Sequence, residues 1–153
     1  MTDAVVVRPA SATQHGDLRG LVQAAGLPLA GLESVVARFI AERHGEVVGV
    51  AALEQHVDER GDVFLLRSVA VRTGFRGQGI GEGLTRAALQ HVDAHGGPVA
   101  LLTETAADFF PRFGFVEVLR ADLPTALLGS AELQGACAVS ARAFLRAARR
   151  PAS

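Results

Sequence analysis

Residues 69–84 read VAVRTGFRGQGIGEGL, and the reading of this stretch decides the fold. Val69, Ala70 and Val71 form an apolar, β-branched run suited to a strand. From Gly79 the period changes: Ile80, Leu84, Ala87, Ala88 and Val92 recur every three or four residues, which predicts a helix with one apolar face. Between them lies a turn rich in glycine. A helix that starts from such a turn presents N–H groups with no intrahelical acceptor at its positive end, and this is an anion site. Glycine lets a ligand approach the backbone closely and permits positive φ.

Two common phosphate motifs fail on spacing. A Walker A loop needs a lysine after its last glycine, and the chain has none. The dinucleotide fingerprint G-x-G-x-x-G, laid from Gly77, meets Glu82 at its third glycine. Arg76-Gly77-Gln78-Gly79-Ile80-Gly81 has instead the form [Q/R]-x-x-G-x-[G/A]. This resembles the pyrophosphate motif of the GNAT superfamily of N-acetyltransferases, which use acetyl-coenzyme A (acetyl-CoA). A helix-capping turn without a ligand is the bland alternative.

The rest of the chain reads as one domain over residues 1–146, with a fraying tail at 147–153. Strands are expected at 4–8, 39–43, 47–55, 62–71, 99–103, 115–119 and 137–145. Helices are expected at 13–25, 32–38, from Ile80 to about His95, 105–113 and 124–133. Gly49 marks a bulge in its strand. The strand at 99–103 follows a strand and a crossover helix, so it should pair in parallel with 62–71. This order is similar to the GNAT acyl-CoA N-acyltransferase fold. That is an α+β architecture with a central mixed sheet of about six or seven strands, flanking helices and a splayed parallel strand pair.

The resemblance implies a cofactor site. Val69-Ala70-Val71 would lie along the pantetheine arm, bonding through the backbone of Val69 and Val71. The N–H groups of Gln78, Gly79, Ile80 and Gly81 would hold the pyrophosphate, with Gly77 in the turn and Arg76 adding charge. A second stretch, AADFFPRFGF at 106–115, resembles the superfamily's A-x-x-F-Y-x-x-x-G-F segment, which contacts coenzyme A (CoA). The tyrosine that protonates the leaving thiolate there falls at Phe110, which has no acidic proton. Water or direct thiolate departure would replace it.

A narrower resemblance is to the arsenic-resistance N-acetyltransferases. It rests on residues 65–71, on 101–110 and on Ser130-Ala131-Glu132-Leu133 before Cys137. The usual L-C-P-x-S-A tail reads Ala136-Cys137-Ala138-Val139-Ser140-Ala141 here and lacks the proline. It implies an amino-acid-like arsenical or a related small amine as acceptor.

Acetyl transfer to an amine needs the neutral amine, so a carboxylate is sought to take its proton. Glu54, late in a strand, and Glu104, at the end of the parallel strand, are the candidates; each also reads as a solvated or capping charge. Arg67 and Ser68 flank the splay strand, where Arg67 would bind an acceptor carboxylate or lie exposed at an edge. Thr103 is a further acceptor-side candidate, and more readily a local hydrogen bonder. Cys137 is a soft thiolate or a buried inert thiol. His91 and His95 share a helix face, but a metal would need a third ligand, so no metal is expected.

Composition limits the partners. The formal net charge is −1, and there is no Lys, Trp or Tyr. A nucleic-acid surface is therefore not expected. One cysteine excludes an internal disulfide. No apolar run approaches the length of a membrane span, and a cytoplasmic location is expected. Homodimerisation is left open. Three functional readings remain: a small-molecule N-acetyltransferase, a CoA-binding sensor without turnover, and a protein or peptide N-acetyltransferase. An open acidic groove would favour a peptide, and an enclosed pocket with one arginine would favour an amino acid.

Overall fold

The computed structural model describes residues 4–136 and 138–149. Cys137 lies outside the described residues; the strand expected at 137–145 begins only at Arg142, because the Ala141 N–H donates to the Ala138 carbonyl at 3.0 Å and turns the chain there. Seven strands form one mixed sheet: β1 Val6–Pro9, β2 Ala37–Arg43, β3 Glu46–Asp58, β4 Gly61–Val71, β5 Val99–Thr103, β6 Val116–Val118 and β7 Arg142–Arg146. Among the described residues two α-helices accompany them, α1 His15–Ala24 and α2 Ile80–His95. The strand order is β1-β2-β3-β4-β5-β7-β6. Among the described residues only β4 and β5 pair in parallel.

Local chemistry accounts for the meander. The β2–β3 loop is His44–Gly45, with φ of +51° and +78°, as a tight hairpin requires at its two central positions. Strands β3 and β4 are joined by Glu59–Arg60, where Asp58 Oδ1 accepts from the Arg60 N–H at 2.8 Å. The bulge in β3 falls at Val48, beside Gly49. Gly49 has a second reason to be glycine: a Cβ there would come within 2.9 Å of Leu84 Cδ1 and 3.0 Å of Ile80 Cγ2. Helix α2 therefore rests directly on the backbone of β3.

The sheet separates two apolar layers. On the α2 face, Phe39, Ala51, Leu53, Phe64, Leu66, Leu84, Val92 and Leu101 pack with Phe110, Phe113 and Phe115. The opposite face holds two clusters. Leu18 and Val22 of α1 cover Ile40, Val50, Ala52 and Ala70. Leu123 and Leu127 cover Val63, Leu65 and Ala100. Arg67 and Glu54 fall between these two clusters in strand order.

Several expected elements differ. Residues 32–38 form no helix; a 3₁₀ turn covers Leu32–Ser34, and the Val36 N–H donates to the Leu53 carbonyl at 2.8 Å. Leu32, Val35 and Val36 have helical spacing, but β-branched pairing with the sheet prevails. The helix at 105–113 shrinks to a 3₁₀ turn, Phe110–Phe113, limited by Pro111 and by Gly114 at φ +94°. The helix at 124–133 becomes a short 3₁₀ turn, Thr125–Gly129, and a separate turn from Glu132. Arg146 ends β7 and is 3% exposed, bonded to Asp93 at 2.8 and 3.0 Å. That pairing holds the Asp93 carboxyl below its usual range, against the opposing effect of burial.

Candidate active site

The site begins where β4 and β5 part. Their parallel register contains Phe64↔Val99 and Leu65↔Ala100 and no later pair. Beyond it β5 stays bound to β7 as far as Thr103↔Arg142. A wedge opens between β4 from Leu66 and β5 from Leu101. It forms a cavity of about 490 Å³, within the range of small-ligand sites.

A bulge helps open the wedge. Opposite Val50 and Ala52, β4 places Ala70 and Arg67, so it carries one residue more than β3 over this interval. Ser68 takes up the excess at φ +60°. Such a backbone costs a non-glycine residue of order 1–3 kcal/mol, and these conformations cluster at functional sites. The extra residue changes which face later side chains occupy: Phe64, Leu66, Val69 and Val71 pack on the α2 side.

The glycine turn lies at the mouth of this wedge. Gly74, Gly77 and Gly79 have φ of +97°, +79° and +79°. Gly79 caps α2 and leaves the N–H groups of its first turn without helical partners. Arg76 Nε donates to the Val71 carbonyl at 3.3 Å, which keeps its charge beside the turn. A Cβ at Gly81 would stand 3.7 Å from both Phe109 Cζ and Val71 Cγ2. Phe109 also lines the cavity, so the turn abuts the cavity wall at this ring. The residues here suit a pyrophosphate followed by an extended arm: free backbone donors, no obstructing side chains, and an adjacent slot.

Phe110 is buried, lines the cavity, and meets Phe109 edge-on at 5.0 Å and Phe115 at 5.9 Å. Thr103 lines the cavity too, but its Oγ1 accepts from the Ala106 N–H at 3.0 Å and caps the following turn.

The acid and base candidates separate. Glu104 lines the cavity at an exposed position, and its Oε1 accepts from Ser140 Oγ at 3.0 Å. Glu54, expected to reach the cleft, is buried and is not among the lining residues. Its Oε1 accepts from His56 Nε2, and its Oε2 from Arg67 Nη1, both at 2.8 Å. Arg67 is neither an exposed edge residue nor an open clamp; its side chain has no exposed surface. Nη1 also donates to the Ala30 carbonyl at 2.8 Å, and Nη2 to the Pro28 carbonyl at 2.9 Å. Nε lies 3.1 Å from both Ser68 Oγ and Glu132 Oε2.

Glu132 was not singled out by its chemistry in the sequence, although it sits in the Ser130–Leu133 stretch. It is 3% exposed and lines the cavity, and its N–H donates to Ser130 Oγ at 3.2 Å. An acid set between Ala131 and Leu133 was the available signal. Gly31, at φ +81°, completes the cluster, since a Cβ there would stand 3.1 Å from Arg67 Nη1. No group of three metal-ligating side chains occurs among the described residues. Nor is any helix among them long and apolar enough to cross a membrane.

The family model of the acetyltransferase (GNAT) domain matches residues 36–117, from just before β2 into β6. The chain belongs to the GNAT acetyltransferase family. Among curated proteins it is 37% identical over 83 residues to a mycothiol acetyltransferase of Streptomyces avermitilis. That match covers 50% of this chain and 26% of the relative, so the chain spans about a quarter of that protein's length. Among solved structures, N-acetylglutamate synthase of Neisseria gonorrhoeae, complexed with CoA and N-acetyl-glutamate, superposes with a TM-score of 0.78. The identity is 20%, over 98% of this chain and 36% of that one. Rv2747 of Mycobacterium tuberculosis, solved with CoA, gives a TM-score of 0.73 at 24% identity, covering 93% and 98%. The fold is the mixed-sheet acyltransferase fold with a splayed parallel pair.

Proposed function

We propose that the protein transfers an acetyl group from acetyl-CoA directly to a primary amine of a small molecule. The observation that carries this is the placement of the glycine turn at α2 against Phe109, a ring that also lines the β4–β5 wedge. Family membership supports the reaction class, and the names of the curated relatives agree with it.

Acetyl-CoA, when bound, supplies a thioester acetyl. The α2 N-terminus and Arg76 hold its diphosphate, and the free edge of β4 orients the arm toward the cavity. The amine nitrogen bonds to the acetyl carbon, the C–S bond breaks, and sulfur leaves as thiolate. Glu104, on the cavity wall, takes the ammonium proton directly or through one water. The chain has no tyrosine, so the thiolate acquires its proton from water. Acceptors enclosed by the cavity fit better than a peptide, which would need an open groove. An amino-acid-like arsenical belongs to the acceptors worth assaying on the strength of the sequence resemblance.

One observation favours a second reading. Phe110 in place of the acid suits a CoA-binding sensor without turnover. Thiol release from acetyl-CoA with a panel of amino acids, arsenicals, polyamines and peptides separates the two. Release with at least one amine supports the enzyme; silence with intact acetyl-CoA binding supports the sensor.

A further inference from the structure

We propose that the chain has a second anion site, in the cavity between α2 and the turn Phe110–Phe113, and that this site takes a small phosphate monoester other than acetyl-CoA. The inference stands apart from the acetyl-transfer reading above.

The cavity is about 530 Å³, within the range of small-ligand sites. Among the described residues, four arginines and one acid, Asp93, line it. Arg86 comes from α2, Arg112 from the turn, Arg146 from the end of β7, and Arg149 from just beyond it. Two of the four are already engaged by carboxylates. Arg146 donates to both oxygens of Asp93 at 2.8 and 3.0 Å, and Arg86 Nη2 donates to Glu82 Oε1 at 2.8 Å. Arg112 and Arg149 have no hydrogen bond or ion pair among the described residues. Arg112 lies over the Phe109 ring at 4.8 Å. Arg149 Nη2 lies 2.7 Å from where a Cβ of Gly114 would stand, so the missing side chain there admits the guanidinium to the wall. With Asp93 and Glu82 set against the four arginines, two positive charges remain, in a chain whose formal net charge is −1.

That excess selects the ligand. A phosphate monoester carries about two negative charges at neutral pH and three acceptor oxygens, enough to engage two guanidinium groups. A carboxylate carries one charge and is satisfied by a single guanidinium fork. Leu89 and Phe113, both buried, give the cavity an apolar floor, against which such bonds are stronger than in open water.

The site is separate from the glycine turn. No residue lines both this cavity and the β4–β5 wedge. Its α2 residues run from Arg86 to Asp93, about 9 to 20 Å along the helix axis from Ile80.

The test titrates the intact protein with phenyl phosphate and with benzoate by calorimetry, with and without acetyl-CoA. Phenyl phosphate should bind with Kd below about 1 mM in both cases, and benzoate at least about tenfold more weakly. Arg149→Gln and Arg112→Gln, at exposed positions, should each weaken phenyl phosphate at least about tenfold, whereas Arg19→Gln on α1 leaves it unchanged. Circular dichroism checks that each variant is folded. Binding weaker than about 1 mM, equal affinity for benzoate, or affinity that R149Q and R112Q leave intact overturns the site. Loss of phenyl phosphate binding when acetyl-CoA is present assigns the cavity to the phosphates of acetyl-CoA and overturns it as well. Phenyl phosphate binding by a protein that does not bind acetyl-CoA supports this site and removes only the reading of the glycine turn.

Discussion

The Arg67 guanidinium reaches diagonally across the β3–β4 pair and donates from Nη1 to Glu54 Oε2 at 2.8 Å, with both side chains buried. The pair divides two apolar clusters on one face of the sheet and fixes Glu132 at the cavity. Its charges stay balanced only while Arg67 is present. Arg67→Met leaves two carboxylates in an apolar seam and should cost about 3–5 kcal/mol, a fall in Tm of about 10 °C. Glu54→Gln leaves Arg67 bonded to Glu132 and should cost about 1–2 kcal/mol. Thermal unfolding followed by circular dichroism checks the order; equal losses would show that Glu132 gives Arg67 no support.

Gly79 distinguishes ligand contact from folding. A Cβ there meets nothing within 4 Å, yet φ is +79°. Gly79→Ala should therefore lower stability by about 1–2 kcal/mol through backbone strain alone. In the proposed pyrophosphate site the methyl group would stand where a phosphate approaches, so acetyl-CoA affinity should fall at least about tenfold. Calorimetric titration at a temperature where the variant is folded measures this, and unchanged affinity would remove the pyrophosphate assignment.

What the sequence discloses follows from how local its causes are. The strand–turn–helix at 69–84 was legible because glycine positions and the change of period are chemical facts of adjacent residues. The parallel β5 followed from the crossover. Helical spacing at Leu32, Val35 and Val36 misled, because the partner that captures Val36 is Leu53, distant in sequence. Glu54 is withheld from the cleft by its bonds to His56 and to Arg67, and the second of these partners lies on another strand, 13 residues on. Glu132 was invisible as a site because its meaning comes from Arg67, 65 positions earlier in the chain.

Gly49 couples the core to the turn. A Cβ there would press on Ile80, the first residue of α2, and on Leu84. Gly49→Val should cost about 1–3 kcal/mol by overpacking. It should also weaken acetyl-CoA binding, because the displaced helix carries the N–H groups of the turn. Gly45→Ala, at a positive φ in the β2–β3 loop and with open space, serves as the comparison: strained, but without loss of binding. Denaturant unfolding with ligand titration on both variants checks this.

His91 gives the stability a pH dependence. It stacks on His95 at 4.7 Å and lies edge-on to Phe39 and Phe64. Burial first, and then the neighbouring His95, push its pKa below the usual 6.5. The unfolded chain therefore binds the proton more readily. Stability is fully present above pH 6.5 and is lost as pH falls through the depressed folded value. His91→Gln should flatten the fall in Tm between about pH 7.5 and 5.5. Asp93, held low by Arg146, acts in a separate window below the carboxylate's ordinary 3.8, so acid scans resolve the two.

Phe110 tests which proton matters. Phe110→Tyr places a phenol at the cavity wall, where relatives in the superfamily carry their acid. A thiol with a pKa of about 8.5 departs as thiolate with little assistance, whereas an alkylammonium near about 10.4 must be deprotonated before it attacks. In the proposed reaction the limiting proton is therefore the one on the amine. The expected gain in kcat is below about tenfold, short of the roughly 100-fold at which general acid catalysis begins. The rise of kcat/KM with pH should keep its acid limb, which reports amine deprotonation. A gain of about 100-fold, or loss of that limb, would place thiolate protonation in the rate-limiting step.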